Sequence, residues 1–238
     1  MTERNGPPAS AAHAFVESLE VPVLDPDDVH HFQRVLRLRD GELVTVSDGE
    51  GSWRPCRIAR GSLEPDGPVC ESTRPEPTIT IAFAVTKADR PEWTVQKLTE
   101  LGVDRIVPVM ADHTVVRWDE ARAARNVRRL RAVARSAAMQ SRRVWSPIVD
   151  DVVASTQLAE CVPGLALAHP GGGVVSLNSP AIAVGPEGGW SARELGHAPL
   201  TVDLGENTLR AETAAVAAGV LLTALRAGMV TGISGKNA

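Results

Sequence analysis

From residue 79 onward the chain alternates short apolar runs with segments of helical periodicity, and this alternation restricts its fold more than any other feature. The apolar runs have the length and composition of buried strands, and the connections between them are short. Alternating strands and helices of this kind form a mostly parallel sheet that is covered on both faces. The sequence therefore predicts an α/β domain, with strand candidates ITIAFAV, VDRIVPVM, PIVDD, LALAH, AIAVG and LTVDLG.

Capping signals and apolar periodicity predict helices between these strands. The last helix, which contains AAVAAGVLLTAL, is apolar nearly all round, as in a helix that is buried in a core or in a subunit interface. Gly102 and Gly228 can end the first and the last of these helices. The predicted helices span about 91–101, 119–140, 153–161 and 209–227.

The first third of the chain has a different pattern of apolar and turn-forming residues. Short apolar runs follow one another between Asp-Gly turn signals, which predicts a small antiparallel barrel. One helix interrupts the barrel, opened by Asp25 with Pro26 at its first position. Residues 73–77 hold two prolines and charged side chains, a composition typical of a linker. We therefore expect a barrel domain over 1–74 and an α/β domain over 75–238.

Charge and cysteine content exclude several classes of function. The formal net charge is -4, so the chain does not coat nucleic acid through charge alone, and any RNA contact must be a local patch. The three cysteines are far apart and lack the spacing of a zinc site, so no metal is expected. The sequence shows neither an apolar leader nor an apolar stretch of membrane-span length, which predicts a cytoplasmic protein without membrane contact.

The loop GPEGGW, residues 185–190, is the first candidate site, because ligands of open α/β sheets bind beyond the carboxyl ends of strands. Gly188 and Gly189 let the backbone approach a flat ligand closely. Ser191 and Glu194 have the spacing of a capping box that opens the next helix. Taken alone, the loop is more typical of an ordinary strand-to-helix turn than of a ligand site, and without a following GK[ST] it is not a phosphate loop.

The loop LGENTLRAET, residues 204–213, is the second candidate site and also leads from a strand into a helix. It brings Arg210 and Glu212 to the first turn of the last helix, where the helix dipole favours an acid and disfavours an arginine. Helix chemistry therefore explains Glu212 but does not explain Arg210.

These two loops and three upstream blocks resemble the SPOUT RNA methyltransferases, and in particular the family that methylates N3 of a uridine in small-subunit ribosomal RNA. IAVGPEGGWSARE is similar to the family's I-GPEGG-[FW]-S-x-x-E block, and LGENTLRAETA to its LG-x-x-ILR-x-ETA block. Upstream, TKADRPEWTVQKLTELGVDRIVPV, MQSRRVWSP and HHFQRVLRLRDGE resemble three further blocks in the family's order. The resemblance covers nearly the whole chain, and five ordered blocks are far more specific than one.

The resemblance implies a SPOUT-type parallel sheet with a C-terminal trefoil knot, a PUA-like N-terminal β-barrel, a homodimer and S-adenosylmethionine as cofactor. The knot would draw the loops after LALAH, AIAV and LTVD into one pocket, in which His169 has no catalytic role. The cofactor-binding residues expected from it are Leu167, Ala168, His169, Gly185, Pro186, Glu187, Gly188, Gly189, Leu204, Gly205, Asn207, Leu209 and Arg210.

Uridine N3 carries a proton that must be lost before methyl transfer, so a base or a charge-stabilising cation is expected. Our hypothesis is that Arg210 stabilises negative charge on the uracil oxygens or on a flanking phosphate, with Glu187 or Glu212 as the proton acceptor. Either acid is as well explained by capping a helix or pairing with an arginine. Ribosomal RNA contacts are expected at His31, Arg34, Arg37, Arg39, Lys87, Arg90, Gln140 and Arg143.

Three other functions remain open at this point. The chain could be a SPOUT methyltransferase for another RNA or base, or a catalytically silent RNA-binding factor of ribosome assembly. The intact GPEGG and LR-x-ETA loops argue against the silent factor, because a binding module needs no cofactor loops. A small-molecule enzyme of flavodoxin-like or Rossmann type is disfavoured by the missing GxGxxG and by the extra barrel domain.

Overall fold

The computed structural model describes residues 7–231, which divide into two compact units. The first unit comprises residues 7–75 together with Arg135–Ser146, and the second comprises Glu76–Ala134 and residues 147–231. The sequence predicts a boundary after residue 74 and places residues 135–146 in the second domain.

The first unit contains a mixed five-stranded sheet. Strands β2, β3 and β4 form an antiparallel meander, and β5 pairs antiparallel with β3. Strand β1 pairs in parallel with β2, and the sequence analysis did not identify it because AHAF is short and half alanine. The sheet is therefore not antiparallel throughout. The strands are β1 (Ala12–Phe15), β2 (Leu43–Ser47), β3 (Ser52–Ala59), β4 (Ser62–Pro65) and β5 (Cys70–Glu71).

A short helix, α1 (Pro26–His30), interrupts the strands of this unit as predicted. Asp25 caps it by accepting a hydrogen bond from the backbone N–H of Asp27 at 2.9 Å. A wider helical turn, His31–Val35, continues the helix and places Phe32 in the core of the unit. The polar side chains of this turn are left at the surface.

The second unit contains a parallel sheet of seven strands, which confirms the predicted α/β fold. The strand order is β12-β10-β11-β6-β7-β8, and β9 pairs with the carboxyl-terminal end of β7. The trefoil knot stays a prediction. The strands are β6 (Thr80–Ala84), β7 (Arg105–Met110), β8 (Ile148–Val149), β9 (Val153–Ala154), β10 (Ala166–Gly173), β11 (Ala181–Val184) and β12 (Thr201–Val202).

Helices connect these strands close to the predicted positions, and Gly102 and Gly228 follow α2 and α6 with φ of 90° and 65°. The helix expected over 153–161 is wrong in its first half, where β9 and a 3-10 turn, Ser155–Gln157, precede a single α-helical turn. Within residues 7–231, no helix combines the length and apolar character needed to cross a membrane. The helices are α2 (Arg90–Glu100), α3 (Glu120–Gln140), α4 (Leu158–Cys161), α5 (Ala192–His197) and α6 (Ala211–Arg226).

Both faces of the parallel sheet are buried, because successive side chains of a strand point to opposite faces. In β6, Ile81 and Phe83 pack into the cluster that holds Leu222 of α6. Ala82 and Ala84 belong to a second cluster, which holds Trp190. Strands β10, β11 and β12 are neighbours and parallel, so their carboxyl ends lie side by side near the start of α6.

Candidate functional site

A cleft of about 210 Å³ opens at the carboxyl ends of β10, β11 and β12. Its apolar surface is formed by Val184, Trp190, Leu204, Leu209 and Ala214. Both candidate loops and the end of β10 contribute to it, so the two loops lie together in space. The predicted binding residues that line the cleft are Ala168, His169, Gly185, Pro186, Glu187, Gly189, Leu204, Gly205, Asn207 and Leu209.

Three residues expected to bind the cofactor are not part of this lining. Leu167 is buried below the cleft, in the cluster on the second face of the sheet. Gly188 is exposed on the outer side of the first loop. Arg210 is the N-cap residue of α6, and its exposed side chain makes no hydrogen bond or ion pair with another described residue.

Asp203 is a residue of the cleft that the sequence analysis missed. One carboxylate oxygen accepts a hydrogen bond from the backbone N–H of Gly205 at 2.9 Å, and the other accepts from that of Gly171 at 2.7 Å. These backbone hydrogen bonds, first that of Gly205, hold the pKa of Asp203 below its usual value. Asp203 thus ties the loop after β12 to the end of β10. An acid directly after a buried strand was the available signal.

Two side chains hold the GPEGG loop in place, His113 from outside the loop and Trp190 at its end. Nδ1 of His113 lies 3.1 Å from the carbonyl of Gly188 and 3.2 Å from that of Gly189; since carbonyls only accept, Nδ1 carries the proton. Trp190 Nε1 donates to the carbonyl of Ala168 at 3.2 Å. A Cβ atom at Gly185 would lie 3.1 Å from the Trp190 ring, so this position has little room for a side chain. His113 was also missed, because it lies in a separate segment after β7.

Arg90, at the first position of α2, contacts both candidate loops. Its Nη1 is 3.0 Å from Oε1 of Glu187, and its Nε is 3.6 Å from Oε1 of Glu212. Glu187 is 47% exposed and Glu212 only 15% exposed at their side chains. Oε2 of Glu212 is buried without a hydrogen-bond partner among residues 7–231. The two acids proposed as proton acceptors therefore have different surroundings.

The other residues expected to contact RNA lie in both units. His31, Arg34, Arg37 and Arg39 are exposed in and after the wide turn that follows α1. In the same unit, Gln140 is exposed and Arg143 is half-buried. In the second unit, Lys87 is exposed in the loop after β6. Arg90, described above, is half-buried at the first position of α2.

The cleft has the features needed to hold an adenosine group. The backbone groups of Asn207, Thr208 and Leu209 make no hydrogen bond with any other described residue, so they are available to the edge of a base. Leu204 and Leu209 supply apolar surface for a flat ring. Because these polar groups belong to the backbone, the cleft fits S-adenosylmethionine without a metal or a basic side chain.

Comparison with known proteins agrees with this geometry. A family model described as RNA methyltransferase domain matches residues 74–223, and one described as RNA methyltransferase PUA domain matches residues 24–63. Ribosomal RNA small subunit methyltransferase E of Mycobacterium bovis is 35% identical over 224 residues, covering 83% of this chain and 84% of its own length. The Bacillus subtilis protein of the same name is 29% identical over 216 residues, covering 79% and 84%.

Two similar solved structures contain the expected cofactor. Ribosomal RNA small subunit methyltransferase E of Neisseria gonorrhoeae, bound to S-adenosyl methionine, matches with a TM-score of 0.74 at 28% identity and covers 90% of this chain and 97% of that one. A protein from Legionella pneumophila, solved with the bound cofactor SAM, matches with a TM-score of 0.77 at 26% identity and covers 89% and 96%.

Proposed function

This chain belongs to the ribosomal RNA small subunit methyltransferase E family, and we propose on that basis that it transfers a methyl group from S-adenosylmethionine to small-subunit ribosomal RNA. The observation that carries the proposal is the convergence of the GPEGG loop, the LGENTLR loop and the end of β10 on one cleft. A catalytically silent assembly factor does not explain this cleft, because a binding module needs no cofactor loops.

The cofactor is held by backbone and apolar side chains. The free backbone groups of Asn207, Thr208 and Leu209 bind the edge of adenine, while Leu204 and Leu209 cover its faces. When bound, S-adenosylmethionine supplies an electrophilic methyl group on a sulfonium sulfur. The protein contributes orientation and exclusion of water, which is most of what a methyl transfer requires.

The target atom in the proposal is N3 of a uridine, and its proton passes to Glu212. The carboxylate oxygen Oε2 of Glu212 has no hydrogen-bond partner among residues 7–231, so its lone pairs are not engaged by the protein. Glu187 is more exposed, and its Oε1 is the closer partner of Arg90. The lone pair left on N3 would then form the N–CH3 bond as the S–CH3 bond of the bound cofactor breaks and its sulfur leaves as a neutral thioether, while the exposed guanidinium of Arg210 stabilises the negative charge of the uracil oxygens.

We assign ribosomal RNA binding mainly to the first unit, through His31, Arg34, Arg37 and Arg39 together with Gln140 and Arg143, and to Lys87 in the second unit. The exposed arginines can bind phosphate oxygens bidentately, which orients the RNA without selecting its sequence.

We also propose that the protein acts as a homodimer in the cytoplasm, where its ribosomal substrate lies. Part of α6 supports the dimer, because Val220 is 41% exposed and Val216 and Leu221 are incompletely buried on this apolar helix. A partner subunit would cover such a surface.

Methyl transfer by the purified protein tests this function, with labelled S-adenosylmethionine and small-subunit RNA. We expect Arg210→Ala to lower turnover by about 100-fold while leaving cofactor affinity nearly unchanged, because its side chain does not line the cleft. Glu212→Gln should lower turnover by about 100-fold, and Glu187→Gln by much less when the cofactor is saturating. Unchanged turnover in Arg210→Ala would contradict the role of Arg210, and equal turnover of Glu212→Gln and wild type would exclude Glu212 as the base.

A further inference from the structure

Arg90 occupies an unusual position for an arginine. It is the first residue of α2, where the positive end of the helix dipole disfavours a cation, so helix stability does not account for it. The helix start is anchored, since Pro91 follows directly and is buried. The guanidinium is therefore held at a defined point beside the cleft.

The two carboxylates that face Arg90 come from the two cofactor loops. Glu187 belongs to GPEGG after β11, and Glu212 belongs to the first turn of α6 after the LGENTLR loop. Arg90 reaches them with different nitrogen atoms, Nη1 and Nε, which a planar guanidinium presents in a fixed fork. A lysine ammonium is a single point charge on a flexible stem, so it would not reproduce the fixed spacing of these two nitrogens.

The elements that carry Arg90 and Glu212 are packed closely against each other. A Cβ atom at Gly219 of α6 would lie 2.8 Å from Leu98 of α2, so glycine permits the close approach of these helices. Thr94, Val95 and Leu98 are the buried face of α2. The distance between Arg90 and Glu212 is thus set by helix packing, whereas Glu187 lies on a loop that Arg90 can hold in place.

We propose that Arg90 is a positioning residue that links the GPEGG loop to the start of α6 and so shapes the cofactor cleft, in place of the RNA contact expected from sequence. This inference rests on the proposed function, since it concerns the same cleft. Half-exposed ion pairs contribute little to global stability, so removing Arg90 should weaken cofactor binding more than it weakens folding. Arg90 also holds one oxygen of Glu212, leaving Oε2 as the available one.

The test compares Arg90→Ala and Arg90→Lys with Lys97→Ala as a matched control. Lys97 lies on the same helix, has similar exposure, and pairs with Glu100 rather than with a cofactor loop. We measure the Kd for S-adenosylmethionine by calorimetry, the KM for RNA, its salt dependence, and the melting temperature. Arg90→Ala should weaken cofactor binding by about fivefold or more, Arg90→Lys less, and Lys97→Ala not at all, with the KM for RNA unchanged.

A double-mutant cycle adds a readout that a general loss of stability does not produce. Glu187→Gln should weaken cofactor binding in the wild-type background but have little further effect in Arg90→Ala, because the pair is already broken. Additive effects would overturn the proposal, as would unchanged cofactor affinity in Arg90→Ala with reduced RNA affinity and a flatter salt dependence. If Arg90→Ala does not fold, Arg90→Lys and Glu187→Gln decide the question, and wild-type cofactor affinity in both would overturn it.

The result also separates this inference from the proposed function. A wild-type protein that bound no S-adenosylmethionine would contradict the function itself. Tight binding by wild type and by Arg90→Ala alike would remove only the role of Arg90.

Discussion

Glu187 and Glu212 are equivalent candidates in the sequence, yet the structure gives them different surroundings. Glu187 is half exposed and lies 3.0 Å from Arg90, whereas Glu212 is largely buried with one oxygen unpartnered. The sequence indicated both because each follows a glycine-rich strand end. It could not rank them, because burial and the contact with Arg90 depend on a residue about a hundred positions away in the chain.

Asp203 provides a pH-dependent test at the residue scale. Its pKa is lowered by backbone hydrogen bonds, first from Gly205 and then from Gly171, so its stabilising effect is present above the usual aspartate pKa of about 3.9 and is lost as the pH falls through the lowered value. We expect Asp203→Asn to lower the melting temperature and weaken cofactor binding at neutral pH. The difference in melting temperature from wild type should shrink as the pH falls below about 4.

Asp151→Asn is the control for this experiment, because Asp151 is 82% exposed and its ion pair with Arg131 lies away from the cleft. A difference between Asp203→Asn and wild type that stays constant from neutral pH to pH ~3 would contradict the assigned hydrogen bonds.

At the scale of elements, continuous apolar runs and helical periodicity could be recognised in the sequence, whereas β1 and β9 could not. The buried run AIAV located β11. The terminating glycines Gly102 and Gly228 located the ends of α2 and α6. Strand β1 was missed because AHAF is half alanine, and strand β9 because Val153–Ala154 lies in a segment predicted as a helix. Both are placed by pairing with distant strands, β1 with β2 and β9 with β7.

The last turn of α6 is joined to the sheet by a buried ion pair. Arg226, 10% exposed, pairs with Asp104, 3% exposed, and also donates to the carbonyls of Pro77 and Gly102. Asp104 in turn accepts from the backbone N–H of Ile79 at 2.9 Å. This arrangement holds α6, which begins at the cleft, against the start of β6.

We expect Arg226→Ala to reduce the free energy of unfolding by about 3 to 5 kcal/mol, because it leaves the Asp104 carboxylate buried without its cation. Denaturant titration measures this change in the free energy of unfolding. Arg131→Ala, which removes a half-exposed arginine from its pair with Asp151, should cost no more than about 1 kcal/mol. Equal losses in the two variants would show that burial of the Arg226 pair has no energetic consequence.

At the scale of the whole molecule, composition was the weakest guide to RNA binding. A net charge of -4 hides a cationic cluster of exposed arginines in the first unit, Arg34, Arg37 and Arg39, which lies close to His31 in the sequence. The change in residue pattern near residue 75 predicts two domains, but it places Arg135–Ser146 in the second, because a single helix, α3, runs across the division of the two units. The knot and the dimer stay predictions that rest on the family.

The cationic cluster predicts a salt dependence of RNA binding. Neutralising Arg34, Arg37 and Arg39 together should reduce the slope of log Kobs against log salt by about 2 to 3, since each phosphate contact contributes about 0.7 to 0.9. Binding should weaken on any RNA sequence. Arg193→Ala, at an exposed arginine paired with Asp112 in the second unit, is the control and should leave the slope unchanged. A triple variant with the wild-type slope would locate the RNA contact elsewhere.

The most direct test of the account is a map of methylated uridines on small-subunit ribosomal RNA from cells with and without this protein. The account predicts that one N3-methyluridine is lost in the deleted cells and is restored by the wild-type protein but not by Arg210→Ala. An unchanged set of N3-methyluridines in the deleted cells, or the loss of a methyl group from another base, would contradict it.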